Sequence, residues 1–400
     1  MDISSLVQKN SSKIIFVILD GVGGLPINGK TELDAASKPN MDALARKSAC
    51  GLHIPVSYGI TPGSGPGHFG VFGYDPLKYE IGRGVLEALG LGIELEKTDV
   101  AVRCNYATIK DGVIVDRRAG RIPTEKNIEL TEKLSSQIEE IDEVKIILRP
   151  GKEHRFSFVM RFPQNISESQ AMVADTDPQK EGRSPLKPLP LMEEAKKVAD
   201  IAEEFIRRAS EILQDEDKAN FVLLRGFSSL PDIPSFENKY GLRACSIAIY
   251  PMYRGITKLL GMETLSVEGD VKDEIETLKR VYKDYDFLFL HIKKIDSMGE
   301  DGNFEGKVKK IEEFDNYLPE ILSLSPDVLV LTGDHSTPAL LKAHSWHPVP
   351  LLIHSPYVLG GTSQSFTERE CLKGELGIIP ATAIMPLVLA NSLRLRKFGA

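Results

Sequence analysis

Lys13-Ile-Ile-Phe-Val-Ile-Leu-Asp20, followed at once by Gly21-Val-Gly-Gly24, decides how the rest of the chain is read. Six consecutive β-branched or large apolar residues show no period-two alternation. That is the mark of a strand covered on both faces, and such strands belong to parallel sheets wrapped by helices. The glycines end the strand, so Asp20 stands at its carboxyl end. Open α/β sheets bind ligands outside those ends, which makes Asp20 a candidate site residue, although standing alone it reads as a turn or helix-cap aspartate.

Further apolar runs continue the pattern: Phe221-Val-Leu-Leu224, Phe287-Leu-Phe-Leu-His-Ile292 and Val328-Leu-Val-Leu331. Helical periodicity over Val271–Tyr282 and Val308–Leu322 separates them, so a doubly wound, mostly parallel sheet is expected. Two of these runs also lead into acids, Asp296 and Asp334. A parallel sheet points its carboxyl ends one way, so Asp20, Asp296 and Asp334 are expected at one edge.

Between these halves the texture changes. Val100–Ile109 and Val113–Asp116 flank Lys110-Asp-Gly112, a hairpin signal. Strand candidates Val144–Leu148 and Phe156–Phe162 lie between two amphipathic helices, one carrying Ile128, Leu130, Leu134 and Ile138, the other Val198, Ile201, Phe205 and Leu213. The segregation predicts an α+β domain at 91–215 inserted into an α/β domain formed by 1–90 and 216–400. The polar loop Ala174–Arg183 reads as a lid or as solvated surface.

The 400 residues are 42% hydrophobic and 26% charged, ordinary for a soluble globular protein of one large or two medium domains. A formal charge of -8, with no basic run interleaved with aromatics, argues against nucleic-acid binding. Cys50, Cys104, Cys245 and Cys371 show no Cys-x-x-Cys spacing, so reduced thiols and a cytoplasmic location are expected. Residues 1–10 lack the apolar core of a signal peptide. The longest apolar tract, Ile378–Leu393, is broken by Pro380 and Pro386 and reads as a buried C-terminal helix, so no membrane association is expected.

Thr61-Pro-Gly-Ser-Gly-Pro-Gly-His-Phe-Gly70 holds one hydroxyl, Ser64, in a loop stiffened by Pro62 and Pro66 and opened by glycines. If a helix begins here, its first N–H groups favour an anion near Ser64. Asp334-His335, with His344 and His347 close behind, extends the acids into a mixed oxygen and nitrogen donor set suited to divalent cations. His53 and His354 are assigned to packing, His68 to orienting the serine loop, and His291 to the strand core with an outer role near the acids as the alternative.

Taken together, Ile18-Leu-Asp-Gly-Val-Gly23, Thr61–His68, His291-Ile-Lys-Lys-Ile-Asp296, Thr332-Gly-Asp-His-Ser-Thr-Pro338 and His344-Ser-Trp-His-Pro-Val-Pro350 resemble the cofactor-independent phosphoglycerate mutases of archaeal type, in the alkaline phosphatase superfamily. Asp116-Arg-Arg-Ala-Gly-Arg121 and Gly151-Lys-Glu-His-Arg155 match inside the insert, so the resemblance spans nearly the whole chain. It implies an alkaline-phosphatase-like sheet and two divalent ions, Mn2+ or Mg2+ ahead of Zn2+ or Co2+. It also implies a serine that is phosphorylated and returns its phosphoryl group, with no need of 2,3-bisphosphoglycerate. By motif, Asp20, Ser64, Asp334 and His335 would hold one ion, and Asp296, Glu300 and His344 the other. Glu300 stands where the family commonly has His, and His347 is an alternative partner.

The implied substrate is a small anion, 3-phosphoglycerate or 2-phosphoglycerate. Its expected grip is Arg117, Arg118, Arg121, His154, Arg155, Arg254 and Lys293, with Asp116 on a hydroxyl. The insert is expected to shield phosphoserine from water. Two other readings compete: a metal-dependent phosphomonoesterase or different phosphomutase, and a metal-binding protein whose catalysis Glu300 has impaired. The oligomeric state is left open.

Overall fold

The computed structural model describes residues 3–399, so the first two residues of the N-terminal stretch 1–10 lie outside the described residues. The chain forms two compact units, Met1–Glu80 with Ile233–Ala400, and Ile81–Asp232. The larger carries β1 (Ile14–Leu19) and β2 (Ala49–Ile54). The smaller carries β3 (Asp99–Lys110), β4 (Val113–Asp116), β5 (Glu140–Ile141), β6 (Val144–Pro150), β7 (Arg155–Arg161) and β8 (Phe221–Ser229). The larger resumes with β9 (Ala244–Ala248), β10 (Glu263–Leu265), β11 (Phe287–Ile292), β12 (Val328–Thr332), β13 (Val349–His354) and β14 (Gly377–Pro380).

The larger unit is an eight-stranded sheet in the order β10-β9-β11-β1-β12-β13-β2-β14. β13 runs against β12 and β2, and the other pairings are parallel. Every residue of β1 is fully buried, as its unbroken apolar run requires. Each such Ile, Leu or Phe taken out of water contributes about 1.5–3 kcal/mol, which fixes the strand at the centre of the sheet. Leu19 is level with Ile292 of β11, and Ile18 with Thr332 of β12. The carboxyl ends of three adjacent strands therefore lie side by side, and the residues that follow them are Asp20, Lys293 through Asp296, and Gly333 through His335.

The smaller unit is a six-stranded sheet in the order β4-β3-β7-β6-β5, with β8 also on β3. Val100, Val102, Cys104 and Tyr106 turn one face of β3 onto the helices Thr124–Ser135 and Lys196–Leu213, through Leu130, Leu134, Ile201 and Phe205. Asp111 and Gly112 both have positive φ in the β3–β4 turn, the twist a two-residue hairpin needs.

Three expectations are corrected. Phe221–Leu224 belongs to β8, antiparallel to β3, and not to the parallel sheet. An apolar run reports burial and does not say which sheet supplies it. With the helix Arg83–Gly90 packed on β3 through Gly84, the smaller unit spans 81–232 where 91–215 was expected. The Ile378–Leu393 tract also divides: Gly377–Pro380 pairs with β2 as an edge strand, where Pro380 needs no donor, and the helix starts only at Ile384. Among the described residues no helix is long and apolar enough to cross a membrane.

Candidate active site

Asp20 follows β1 directly, and Asp334-His335 follow β12. One ligand atom from each of Asp20, Asp334 and His335 lies within 4.8 Å of the others, and all three residues are buried. His335 Nε2 is 3.2 Å from Asp334 Oδ2, 3.4 Å from Asp20 Oδ1 and 3.4 Å from Ser64 Oγ. Ser64 is half-buried and opens the helix Ser64–Val71, so its own N–H and that of Gly65 have no partner within the helix. The close approach depends on glycine: a Cβ on Gly67 would stand 2.4 Å from the Asp334 carbonyl.

A second group comprises Asp296, His335 and His344. Asp296 lies on the helix Lys294–Glu300 that follows β11. His344 donates Nδ1–H to the Pro62 carbonyl at 3.0 Å, so its Nε2 carries the lone pair and lies 3.7 Å from Asp296 Oδ1 and 3.6 Å from Glu300 Oε1. Glu300 is half-exposed and stands at the margin of this group. His347 bonds Ser345 and stacks on Trp346, outside both groups.

Asp20 Oδ1 and Asp334 Oδ2 are buried and make no hydrogen bond. A buried carboxylate oxygen without a donor is costly, and a cation among Asp20, Asp334 and His335 removes that cost, so these residues fit a metal ion. Burial alone would push Asp20 up, but His291, His335 and Lys293 outweigh it and hold the acid well below the usual carboxylate range. Burial likewise lowers Lys293, and Asp20 and Asp296 overcome it and raise the ammonium. Lys293 Nζ lies 2.5 Å from Asp296 Oδ2 and 3.2 Å from Asp20 Oδ2, joining acids of the two groups.

Around this centre, His68 donates to the Ser64 carbonyl at 2.8 Å and lies 3.2 Å from Asp334 Oδ2. His53 holds the Gly333 carbonyl at 2.9 Å, and burial pushes it down to about 4. His291 lies 3.2 Å from Asp20 Oδ2, and His354 bonds Ser48. Arg254 turns to Ser266, while its neighbour Tyr253, unmarked in the sequence, donates to Asp20 Oδ2 at 2.6 Å and stacks on His291.

The smaller unit presents the opposite charge. On the sheet face away from its core, Arg103 pairs across with Arg225 on β8 and Ser157 on β7, and Asn105 pairs with Arg155. Directly opposed residues share a face, so three guanidiniums gather there. Burial lowers Arg103, and the cations of Arg155, Arg225 and Arg83 lower it further, against Glu87. Asn105 Oδ1 and Ser157 Oγ are buried and unbonded on the same face. Burial and the cations of Arg155, Arg118 and Arg121 push His154 down to about 4.

Arg117 is engaged elsewhere, in a two-bond fork to buried Asp177 at 2.8 and 2.6 Å, so the loop Ala174–Arg183 is anchored at that point. Asp116 accepts the N–H groups of Arg118 and Gly120, the turn role open to any aspartate there. Sequence reasoning missed Arg103 and Arg225. The available signal was the alternation Ala101-Val-Arg-Cys-Asn105, which puts Arg103 and Asn105 on one face of β3.

The fold and these side chains define a class: an α/β protein with two cation-ready donor groups beside a serine at one sheet edge. Comparison with known proteins narrows it. Residues 45–218 match the profile of the family described as 2,3-bisphosphoglycerate-independent phosphoglycerate mutase. The chain is 61% identical over 404 residues to the probable mutase of that description from Aquifex aeolicus, covering 100% of this chain and 99% of that protein. It is 54% identical over 399 residues to the one from Thermotoga neapolitana, covering 100% and 98%. The solved cofactor-independent phosphoglycerate mutase from Thermoplasma acidophilum superimposes with a TM-score of 0.78 at 30% identity, over 95% of this chain and 100% of that one. The chain belongs to the 2,3-bisphosphoglycerate-independent phosphoglycerate mutase family, a family of isomerases.

Proposed function

We propose that this chain interconverts 3-phosphoglycerate and 2-phosphoglycerate through phosphorylation of Ser64, with two divalent ions and without 2,3-bisphosphoglycerate, as a cytoplasmic enzyme of glycolysis and gluconeogenesis. The observation that carries the reading is the meeting of Ser64 Oγ with His335 Nε2 beside two buried carboxylate oxygens that lack donors. Asp20, Ser64, Asp334 and His335 would hold one ion, and Asp296, Glu300 and His344 the other. Bound there, Mn2+ or Mg2+ supplies positive charge that favours the serine alkoxide and offsets phosphoryl oxygens.

Ser64 Oγ forms a bond to phosphorus as the ester bond to the glycerate oxygen breaks. The serine proton leaves and the freed hydroxyl takes one up. The reverse step on the neighbouring glycerate hydroxyl regenerates Ser64, so atoms and charge balance over the cycle. Unpaired N–H groups at the start of the helix Ser64–Val71 favour the anionic phosphoserine. Tyr253 donates to Asp20 Oδ2, and His291 stands 3.2 Å from the same oxygen, so both hold this acid in place. Lys293 brings a fixed positive charge between the acids. The guanidiniums of Arg103, Arg155 and Arg225, with Arg118 and Arg121, supply forks for the carboxylate and phosphate of the substrate.

The test is isomerisation by metal-stripped protein with no bisphosphoglycerate, before and after adding Mn2+ or Mg2+. Turnover restored by the metal is expected. Turnover indifferent to metal defeats the two-ion reading, and release of inorganic phosphate in place of isomerisation defeats the mutase reading.

A further inference from the structure

Thr337 has every polar atom engaged and is fully buried. Its N–H donates to the carbonyls of Gly21 and Gly23, and its own carbonyl accepts from the buried ammonium of Lys307 at 2.9 Å. Lys307 also donates to the Gly23 carbonyl at 3.0 Å, so the loop after β1 and the loop after β12 are tied at one point. Pro338 disfavours helical backbone at Thr337, whose side chain is buried. The hydroxyl then lies 2.6 Å from Asp296 Oδ1 and 2.9 Å from His335 Nδ1.

A threonine hydroxyl has one proton. Asp296, with the Lys293 ammonium on its other oxygen, is a carboxylate with only lone pairs to offer, so the hydroxyl must donate to it. What remains on Oγ1 is a lone pair, and His335 Nδ1 must therefore carry the imidazole proton and donate. The opposite arrangement would press two lone pairs together across 2.6 Å. With Nδ1 donating to Thr337, Nε2 is the ring atom that faces Asp20, Asp334 and Ser64 and the one left to meet a cation there.

We infer that Thr337 is a positioning residue that sets the tautomer of His335 and, through the same hydroxyl, couples the Asp20–Asp334–His335 group to Asp296. The inference rests on the proposed two-ion reading for its consequence, since a ligand histidine needs its lone pair on the metal side. The Nδ1–H donation to Thr337 is present without metal.

Two measurements test it. In wild-type protein with 15N-labelled histidine, His335 is expected to show a protonated Nδ1 both without metal and with Mg2+ added. A bare Nδ1 overturns the inference, and this reading needs no variant. In calorimetric titration with Mn2+, Thr337→Val, matched in shape and checked for folding by circular dichroism, is expected to bind about 10- to 100-fold more weakly, and Thr337→Ser to restore the affinity. Wild-type affinity in Thr337→Val, or failure of Thr337→Ser to rescue, also overturns it. If wild-type protein binds no Mn2+, the two-ion reading falls while the tautomer result still stands or fails by itself.

Discussion

Buried acids in the larger unit and clustered arginines in the smaller place opposite local charges on a chain whose formal charge is -8. Asp20, Asp334 and Asp296 are wholly buried, yet two of their oxygens make no hydrogen bond and imidazoles stand around them. On the β3–β7–β8 face, burial and then the neighbouring guanidiniums lower Arg103, and the unbonded atoms there are those of a serine and an amide. Lys293 offsets part of the charge of the acids, and Glu87, Asp175 and Asp177 stand 3.5–3.6 Å from Arg103 and Arg225. The proposed reaction would bring a divalent cation to the first arrangement and an anionic substrate to the second.

Four substitutions press on this contrast, beginning with the largest effect. Ser64→Ala is expected to reduce isomerisation by at least ~1000-fold with Mn2+ binding largely kept; comparable turnover would remove the serine from the larger unit's role. Arg225→Ala should raise the KM for 3-phosphoglycerate by about 10- to 100-fold, because one charge-assisted hydrogen bond to an anion is lost. Its Mn2+ titration should match wild type, and a weakened metal affinity would blur the division between units. Glu300→His should shift preference from Mn2+ or Mg2+ toward Zn2+ by several-fold, as imidazole replaces a hard oxygen donor. An unchanged metal profile would take Glu300 out of the second group.

The smallest effect concerns stability and contrasts Glu274 with Asp20 inside one unit. Both are buried, but Glu274 has only the Ile249 N–H as a bonded donor, and burial pushes its carboxyl up to about 8 from 4.5. A raised folded-state value means that the fold keeps a proton the unfolded chain has already released. The contribution is full below about pH 4.5 and is lost as pH rises toward 8. Glu274→Gln should therefore melt about 2–4 °C above wild type at pH 8 and level with it near pH 4.5. A gain that is the same at both pH values would show that Glu274 is ionised in the fold.

Much of the larger unit could be read from the sequence because strands buried on both faces are mostly apolar, so acids gather where they end. That is why Asp20, Asp296 and Asp334 stood out. β8 defeated the same logic, since Phe221-Val-Leu-Leu is equally apolar in an antiparallel sheet with a helix-covered face. Tyr253, Lys307 and Thr337 were not marked either. Lys307 sits with two other lysines in Gly306-Lys-Val-Lys-Lys-Ile311, and only packing distinguishes the one that is buried. Arg117 shows the converse: its motif marked a cation, and the fold spends it on Asp177.

The chain enters the smaller unit at Gly82, against Ser228, and Val100 at the start of β3 pairs with Ser229 at the end of β8. Both crossings of the boundary thus occur at one spot, like the two leads of a plug. A segment with such adjacent ends can be excised and expressed by itself, or grafted into a foreign surface loop, without stretching either flank, and a short glycine bridge would reseal the remainder.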